Sequence, residues 1–443
     1  MIEPKILDAD LSHLSKSELD AIERLKVVGE IVHKMWLAQV DPGKGMVNVY
    51  PDGVTKKEVL LAAKKDSAIT SPYTFVEESN GRLKAVHYRD KFDSEIDEVV
   101  KILKECADIL EDSETKSYFT KLAKAWDKGD FDEALNVYLK NGHTRIEVLM
   151  GPLETYEDKL LGYKKSFQFN LRVLREKETE DSDKFIQLFK TADILNPTSM
   201  ASKEIQRRKV TFRVDDVLMF SGRQSNTQST GTNLPNETDL AEKMGTKILV
   251  YRNALEYKFR NNLSWLMDRI DIKGKDVKLE DAMEGELYSL AFHEITEGLV
   301  KFDGYEERLQ NYSNAIRELN ATLLGMKSAK YHFLKGVFTQ EEMEDMLVAT
   351  LIYSVDVCLR HEESSSIDEY AKGFALLFNY ASRIGAVEFS TDKVSVDLAR
   401  LSEAIDIMGG ITLQIFEFGD ADDAERLFNE YGSYEIFKKL PQK

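Results

Sequence analysis

Cysteine is almost absent: the 443 residues hold two, Cys106 and Cys358, far apart and each inside an apolar helical pattern. No disulfide framework or cysteine-rich zinc module can be assembled from them, and a reducing, cytoplasmic setting is the expectation. Proline is scarce as well, 8 residues beside 24 glycines, which excludes collagen-like and low-complexity chains. No run of about 18 apolar residues occurs, and Met1-Ile2-Glu3-Pro4-Lys5 has no basic segment followed by an apolar stretch, so neither a membrane span nor export is expected. Excess positive charge is also missing. Sixty basic side chains against 78 acidic ones give a formal charge of −18, which repels phosphate backbones and anionic lipid headgroups and argues against nucleic-acid and membrane partners.

What is present is enough apolar material for a sizeable core, 42% of residues, in a pattern dominated by helix. Ser17 to Met35 repeats apolar residues at every third position through Leu19, Ile22, Leu25, Val28 and Ile31. Helices are expected again from about Asp93 to Leu139 and over nearly all of the chain from Leu279 onward. Short β-type runs stand at Leu83–Tyr88 and Lys209–Phe220, the latter β-branched, aromatic and partly alternating, and Lys247–Tyr251 is a second short strand or a helix start. A polar tract from Ser221 to Thr232 follows it. The class is therefore α+β, predominantly helical, without internal repeats or an evident linker.

One constellation carries chemistry. In Ala291-Phe292-His293-Glu294-Ile295-Thr296-Glu297-Gly298, His293 and Glu297 share a helix face four residues apart, with Glu294 about 100° round from His293. This is the His-Glu-x-x-His metal motif with Glu in place of its second His; in the parent motif the intervening Glu takes a proton from metal-bound water. A second helix, Glu306 to Leu334, has an apolar seam and beside it a stripe of Asn311, Ala315, Glu318, Thr322 and Gly325. Glu318 is thus one carboxylate on a face otherwise cleared of bulk. Ser366-Ile367-Asp368-Glu369 reads as a capping box opening a helix that carries Tyr370, whose phenol suits an oxyanion.

These segments resemble the dipeptidyl peptidase III family and its bacterial zinc-hydrolase relatives. The resemblance rests on Met150-Gly151-Pro152-Leu153-Glu154-Thr155-Tyr156-Glu157-Asp158, continuing to Gly162-Tyr163-Lys164, and on Asn233-Leu234-Pro235-Asn236. Thr70-Ser71-Pro72-Tyr73-Thr74, the helix at Phe292 and Phe378-Asn379-Tyr380 fall in the same order. It implies a two-lobed metallopeptidase-like fold, with a small β-core lobe and a helical metal lobe around a cleft. The corresponding boundaries are 1–275 for the β-core side with N-terminal helices, 276–385 for the metal lobe and 386–443 for helices packing back. It also implies that Glu154, Tyr156, Asn233 and Asn236 hold the substrate's amino end and first peptide groups. His293 is then the first metal ligand, Glu294 the catalytic carboxylate and Glu318 a further ligand.

The departures from the family pattern concentrate in the metal lobe. Glu297 replaces the second ligand His, Arg317 and Thr322 replace two acidic positions, and Tyr370-Ala371 replaces a His-Gly pair. Ligands His293, Glu297 and Glu318 would nearly neutralise a divalent ion, giving a weaker Lewis acid and shifting preference from zinc toward manganese or iron. Without an ion, Glu294, Glu297 and Glu318 crowd like charges, which Arg317 is placed to neutralise. Two expectations follow. One is a metallohydrolase acting on short peptides or an amine-bearing small molecule, with Glu294 as base and Tyr370 as oxyanion partner. The other is a metal-free family member that binds peptides or a protein partner. A different metal-dependent reaction on the same scaffold is the variant of the first.

Overall fold

The computed structural model describes residues 2–41, 44–142, 144–155, 157–192, 209–227, 229–235, 238–361 and 365–440. The fold is α+β and predominantly helical, and the chain divides into two compact units that are both discontinuous in sequence. Met1–Glu176 with Asp215–Ser229 form the first, and Lys177–Val214 with Thr230–Lys443 the second. Most of segment 177–275, grouped above with the β-core side, thus belongs to the second unit. Its strand Thr246–Tyr251 is buried throughout and packs on the helix that carries the His-Glu motif.

In the first unit the helix Lys16–Gln39 starts at a capping box, Ser15 accepting from Glu18 N while the Glu18 side chain accepts from Ser15 N. It buries Ile22, Leu25, Val28 and Ile31 of the expected stripe, together with Val32 and Trp36, while Leu19 is exposed. The expected helical stretch after Asp93 is three helices, Asp93–Ile109, Ser113–Asp127 and Phe131–Lys140. The second and third are each started by an aspartate, Asp112 and Asp130, that accepts from a first-turn N–H.

Strands Ile146–Glu154, Ser166–Leu174 and the latter part of Val210–Gly222 pair antiparallel in that order. Phe167, Phe169, Leu171 and Val173 enter the apolar core, whereas Gln168, Asn170 and Arg172 on the opposite face are equally buried. Arg172 stands opposite Glu147 in the register and donates to it and to Asn170, and its Nε donates to Asp215 Oδ2 at 3.1 Å. Asn141 Nδ2 donates to the other Glu147 oxygen at 2.6 Å. A charge in this position is tolerated because every partner is another buried polar group.

The second unit is built on long helices, Leu279–Leu299, Ser313–Leu334, Gln340–Leu359, Ser365–Arg383 and Leu398–Phe418. The helix expected from Glu306 is interrupted: Tyr305–Leu309 and the turn Gln310–Tyr312 precede Ser313, and Gln310 takes a left-handed φ of 52°. The helix carrying Tyr370 is already formed at Ser365, so Ser366 lies in its first turn rather than at its cap. Both cysteines are buried and free. Among the described residues no helix is long and apolar enough to cross a membrane.

Removing Arg172 would take a paired cation from two buried carboxylates, Glu147 and Asp215. Arg172→Ala is expected to cost about 3–5 kcal/mol, read as a lower urea midpoint at unchanged slope. A loss below about 1 kcal/mol would mean that Glu147 and Asp215 do not depend on it.

Candidate active site

The helix Leu279–Leu299 presents His293 and Glu294, each 9% exposed, against the helix Ser313–Leu334, which brings Glu318, 5% exposed. Gly325 permits this approach. A Cβ there would lie 2.9 Å from Phe292 C and 3.1 Å from His293 N, so any side chain would push the two helices apart. The cleared stripe read from the sequence is this contact surface.

Thr322, one turn from Glu318, meets His293 Nδ1 at 2.9 Å. Its hydroxyl also donates to Glu318 O at 3.4 Å, and His293 Nε2 faces Glu318 Oε2 at 3.6 Å. The sequence shows Thr322 only as a lost acid; its part as the group that orients His293 is written in its four-residue spacing from Glu318. Tyr370 stacks beside the His293 ring, centroids 6.3 Å apart and planes 30° from parallel. Burial, then the nearby Glu318 carboxylate, pushes the phenol well above its usual range, so it stays a neutral donor.

Arg317 organises the acids. One guanidinium nitrogen pairs with Glu297 Oε1, and Nη2 donates to Glu318 Oε1 at 2.6 Å. Glu297 Oε2 accepts from Asn233 Nδ2 at 3.3 Å. Burial works to raise the Glu318 carboxyl, but Arg317 and then His293 outweigh it and hold the group down to about 2. Among the described residues Glu294 has no such partner. Burial and then the Glu318 charge push it up to about 8, and its Oε2 is buried without a hydrogen bond.

His293 Nε2 and Glu318 Oε2 have the separation of two donors that each lie about 2.0–2.2 Å from one ion. Glu297, the third ligand of the expectation, has both oxygens engaged by Arg317 and Asn233. Catalytic zinc sites use three protein ligands. Among the described residues no group of three or more His, Cys, Asp or Glu is arranged to hold an ion. As placed, these side chains do not fit a resident divalent metal.

Of the four substrate-clamp residues, Tyr156 and Asn236 lie outside the described residues. Glu154 ends the strand Ile146–Glu154 in the first unit and is half-buried. Asn233, in the second unit, donates to Glu294 O and Glu297 Oε2. The rest of the Gly-Pro-x-Glu-Thr-Tyr-Glu-Asp segment is structural. Asp158 accepts from Tyr50 OH at 2.8 Å and from the backbone N–H groups of Leu160, Leu161, Tyr163 and Lys164. Lys164 Nζ in turn donates to Ile69 O, Ser71 O and Thr74 Oγ1 at 2.7–2.8 Å, tying this segment to the Thr70–Thr74 patch.

A carboxyl with a raised folded-state pKa stabilises the fold below its unfolded value and loses that contribution as pH rises through the folded one. For Glu294 that window runs from the ordinary 4.5 to about 8. Glu294→Gln, a neutral isostere, is expected to melt like wild type near pH 5 and several degrees higher at about pH 9. Equal melting temperatures at the alkaline end would show that Glu294 ionises without cost in the native state.

Three comparisons bear on ancestry. The protein is similar to Nudix hydrolase 3 of Arabidopsis thaliana, 25% identical over 364 residues, 80% of this chain and 46% of that protein, so it spans about half the length of the curated relative it matches. Its fold is that of dipeptidyl peptidase III from Caldithrix abyssi, with a TM-score of 0.87 at 22% identity over 99% of this chain and 97% of that one. The dipeptidyl peptidase III of Corallococcus sp. strain EGB gives 0.74 at 22% identity over 97% and 90%. The family model for Peptidase family M49 matches residues 42–296, more than half of the sequence and inclusive of the His293–Glu294 pair. On that match, the chain belongs to Peptidase family M49.

Proposed function

We propose that this chain is a dipeptidyl peptidase III-like protein that takes short peptides by their amino end, and that Arg317 stands in for the ion that family peptidases use. The observation that carries the reading is the guanidinium held between Glu297 and Glu318, the two carboxylates available as ligands beside His293. A fixed cation in that position satisfies both acids and offers no open coordination position, so bound water is not acidified there. Glu294, kept neutral by burial and by Glu318, is in the wrong protonation state to act as a base at neutral pH. The protein then binds peptides, or an amine-bearing small molecule, without the family's metal-dependent hydrolysis. Glu154, Tyr156 and Asn233 with Asn236 are the residues assigned to the amino end, by charge and by donor-acceptor inventory.

A second reading retains hydrolysis through a divalent ion on His293 and Glu318, zinc or a harder ion such as manganese or iron. Its support is the separation of His293 Nε2 and Glu318 Oε2 together with the unpartnered buried oxygens Glu294 Oε2 and Glu318 Oε2. Here Arg317 must release one carboxylate when the ion binds.

Elemental analysis of protein purified without chelators separates the two. The first reading expects substoichiometric metal and no turnover of a tetrapeptide that nevertheless binds through its free amine, with N-acetylation or Glu154→Gln weakening it. Stoichiometric metal lost on His293→Ala would overturn it in favour of the second. Restoring the family's residue types with Glu297→His and Arg317→Glu is expected to raise zinc affinity by about 10- to 100-fold per restored contact, measured by calorimetry.

A further inference from the structure

Lys258 ends the helix Arg252–Lys258 and immediately precedes the π-helical turn Phe259–Leu263. Such turns re-aim the residues beside them and recur at functional sites. Its Nζ lies 4.2 Å from the centroid of the Tyr353 ring, on the helix Gln340–Leu359. Among the described residues it has no hydrogen-bond or ion-pair partner within contact distance, and the Tyr353 face is its one close contact. A lysine ammonium carries three donors, and the π-face opposite takes up none of them as a conventional hydrogen bond, so they stay available to water or to a ligand.

The acids nearby do not fill the need. Glu286, on the same helix as His293, acts on Lys258 only through space; it accepts from Ser289 Oγ at 3.0 Å, and burial pushes it up to about 7. Asp356 is committed to Arg360, Oδ2 to Nη2 at 2.7 Å. Burial lowers the Lys258 ammonium, yet the side chain and that of Tyr353 are half-buried rather than sealed. Both side chains thus keep part of their surface in contact with solvent. Tyr353 packs edge-on against Phe374, centroids 6.1 Å apart, and one turn earlier on that helix Tyr370 stacks beside His293, which sets Lys258 and Tyr353 in the neighbourhood of the His293–Glu318 site.

We propose that Lys258, held against the face of Tyr353, is an anion subsite that receives a carboxylate of the ligand bound at the His293–Glu318 site. The inference deepens the peptide-binding reading and rests on it for the ligand's identity. A single ammonium with acidic neighbours matches one negative charge. Phosphate, with more charge, needs more donors than one ammonium supplies and would be repelled more strongly by the nearby Asp356 and Glu286. Two carboxylates of a peptide qualify, the C-terminal one and that of an acidic side chain. The site therefore selects among peptides in a chain whose net charge of −18 otherwise repels acidic ligands.

Calorimetry on the full chain tests this with tetra-alanine as free acid, tetra-alanine amide, Ala-Glu-Ala-Ala amide and succinate. The free acid or the glutamate-bearing amide is expected to bind at least about tenfold more tightly than tetra-alanine amide. Whichever gains identifies the source of the carboxylate, and Lys258→Met is expected to erase the gain while Lys258→Arg keeps it. Should Lys258→Met fail to fold, Lys258→Gln replaces it, keeping a donor and dropping the charge. Equal binding of the three peptides by wild type, or a gain that survives loss of the Lys258 charge, overturns the subsite and leaves peptide binding intact. Succinate binding that depends on Lys258, with no peptide bound, would uphold the subsite and reject the peptide reading. Binding of none of the four probes overturns both.

Discussion

Arg317 sits between the carboxylates of Glu297 and Glu318 and holds down Glu318, which burial by itself would drive toward protonation. With the guanidinium in place, Glu318 is ionised, and the ionised Glu318 in turn raises both Glu294 and Tyr370. A divalent ion in the same position would spread two positive charges over three or four ligands and acidify a water. A guanidinium spreads one charge over a planar fork and delivers only hydrogen bonds.

That packing is set by backbone proximity more than by charge. Gly325 lets the two helices touch at Phe292 and His293, and the residues on either side of this contact, Glu318 and Thr322, reach the imidazole only because it exists. The same helix that carries His293 and Glu294 also carries Glu286 two turns earlier. One helix therefore contributes an acid to the motif site and another that interacts through space with Lys258.

Much of this was legible in the amino-acid order, for reasons that can be named. The apolar repeat from Ile22 to Ile31 and the β-branched run into Phe220 are local signals, and local signals suffice where the buried face is apolar. The small-residue stripe beside Glu318 revealed a helix contact because bulk is what a close approach forbids. Ser166–Leu174 alternates as cleanly as any strand in the chain, but its polar phase reads as solvent-facing, whereas Gln168, Asn170 and Arg172 are buried against other polar groups. Only the partners, far off in sequence, distinguish the two. Lys258 and Tyr353 are separated in the same way: nothing in either neighbourhood announces the other. The break at Gln310 was hidden because the apolar spacing continues across it while the backbone does not.

The strand Val210–Gly222 gives its first residues to one unit and the rest to the other. As the chain leaves the ribosome, the sheet begun by Ile146–Glu154 and Ser166–Leu174 must wait for residues beyond 214 before its third strand can join it, and by then much of the intervening helix Glu176–Thr191 has already emerged. Any fragment ending near residue 176 would carry an unpaired inner strand whose polar face lacks Asp215, an exposed edge inviting association with other chains. The order of synthesis therefore makes the first unit dependent on chain that belongs mainly to the second, and neither can be cut free by a single terminal truncation.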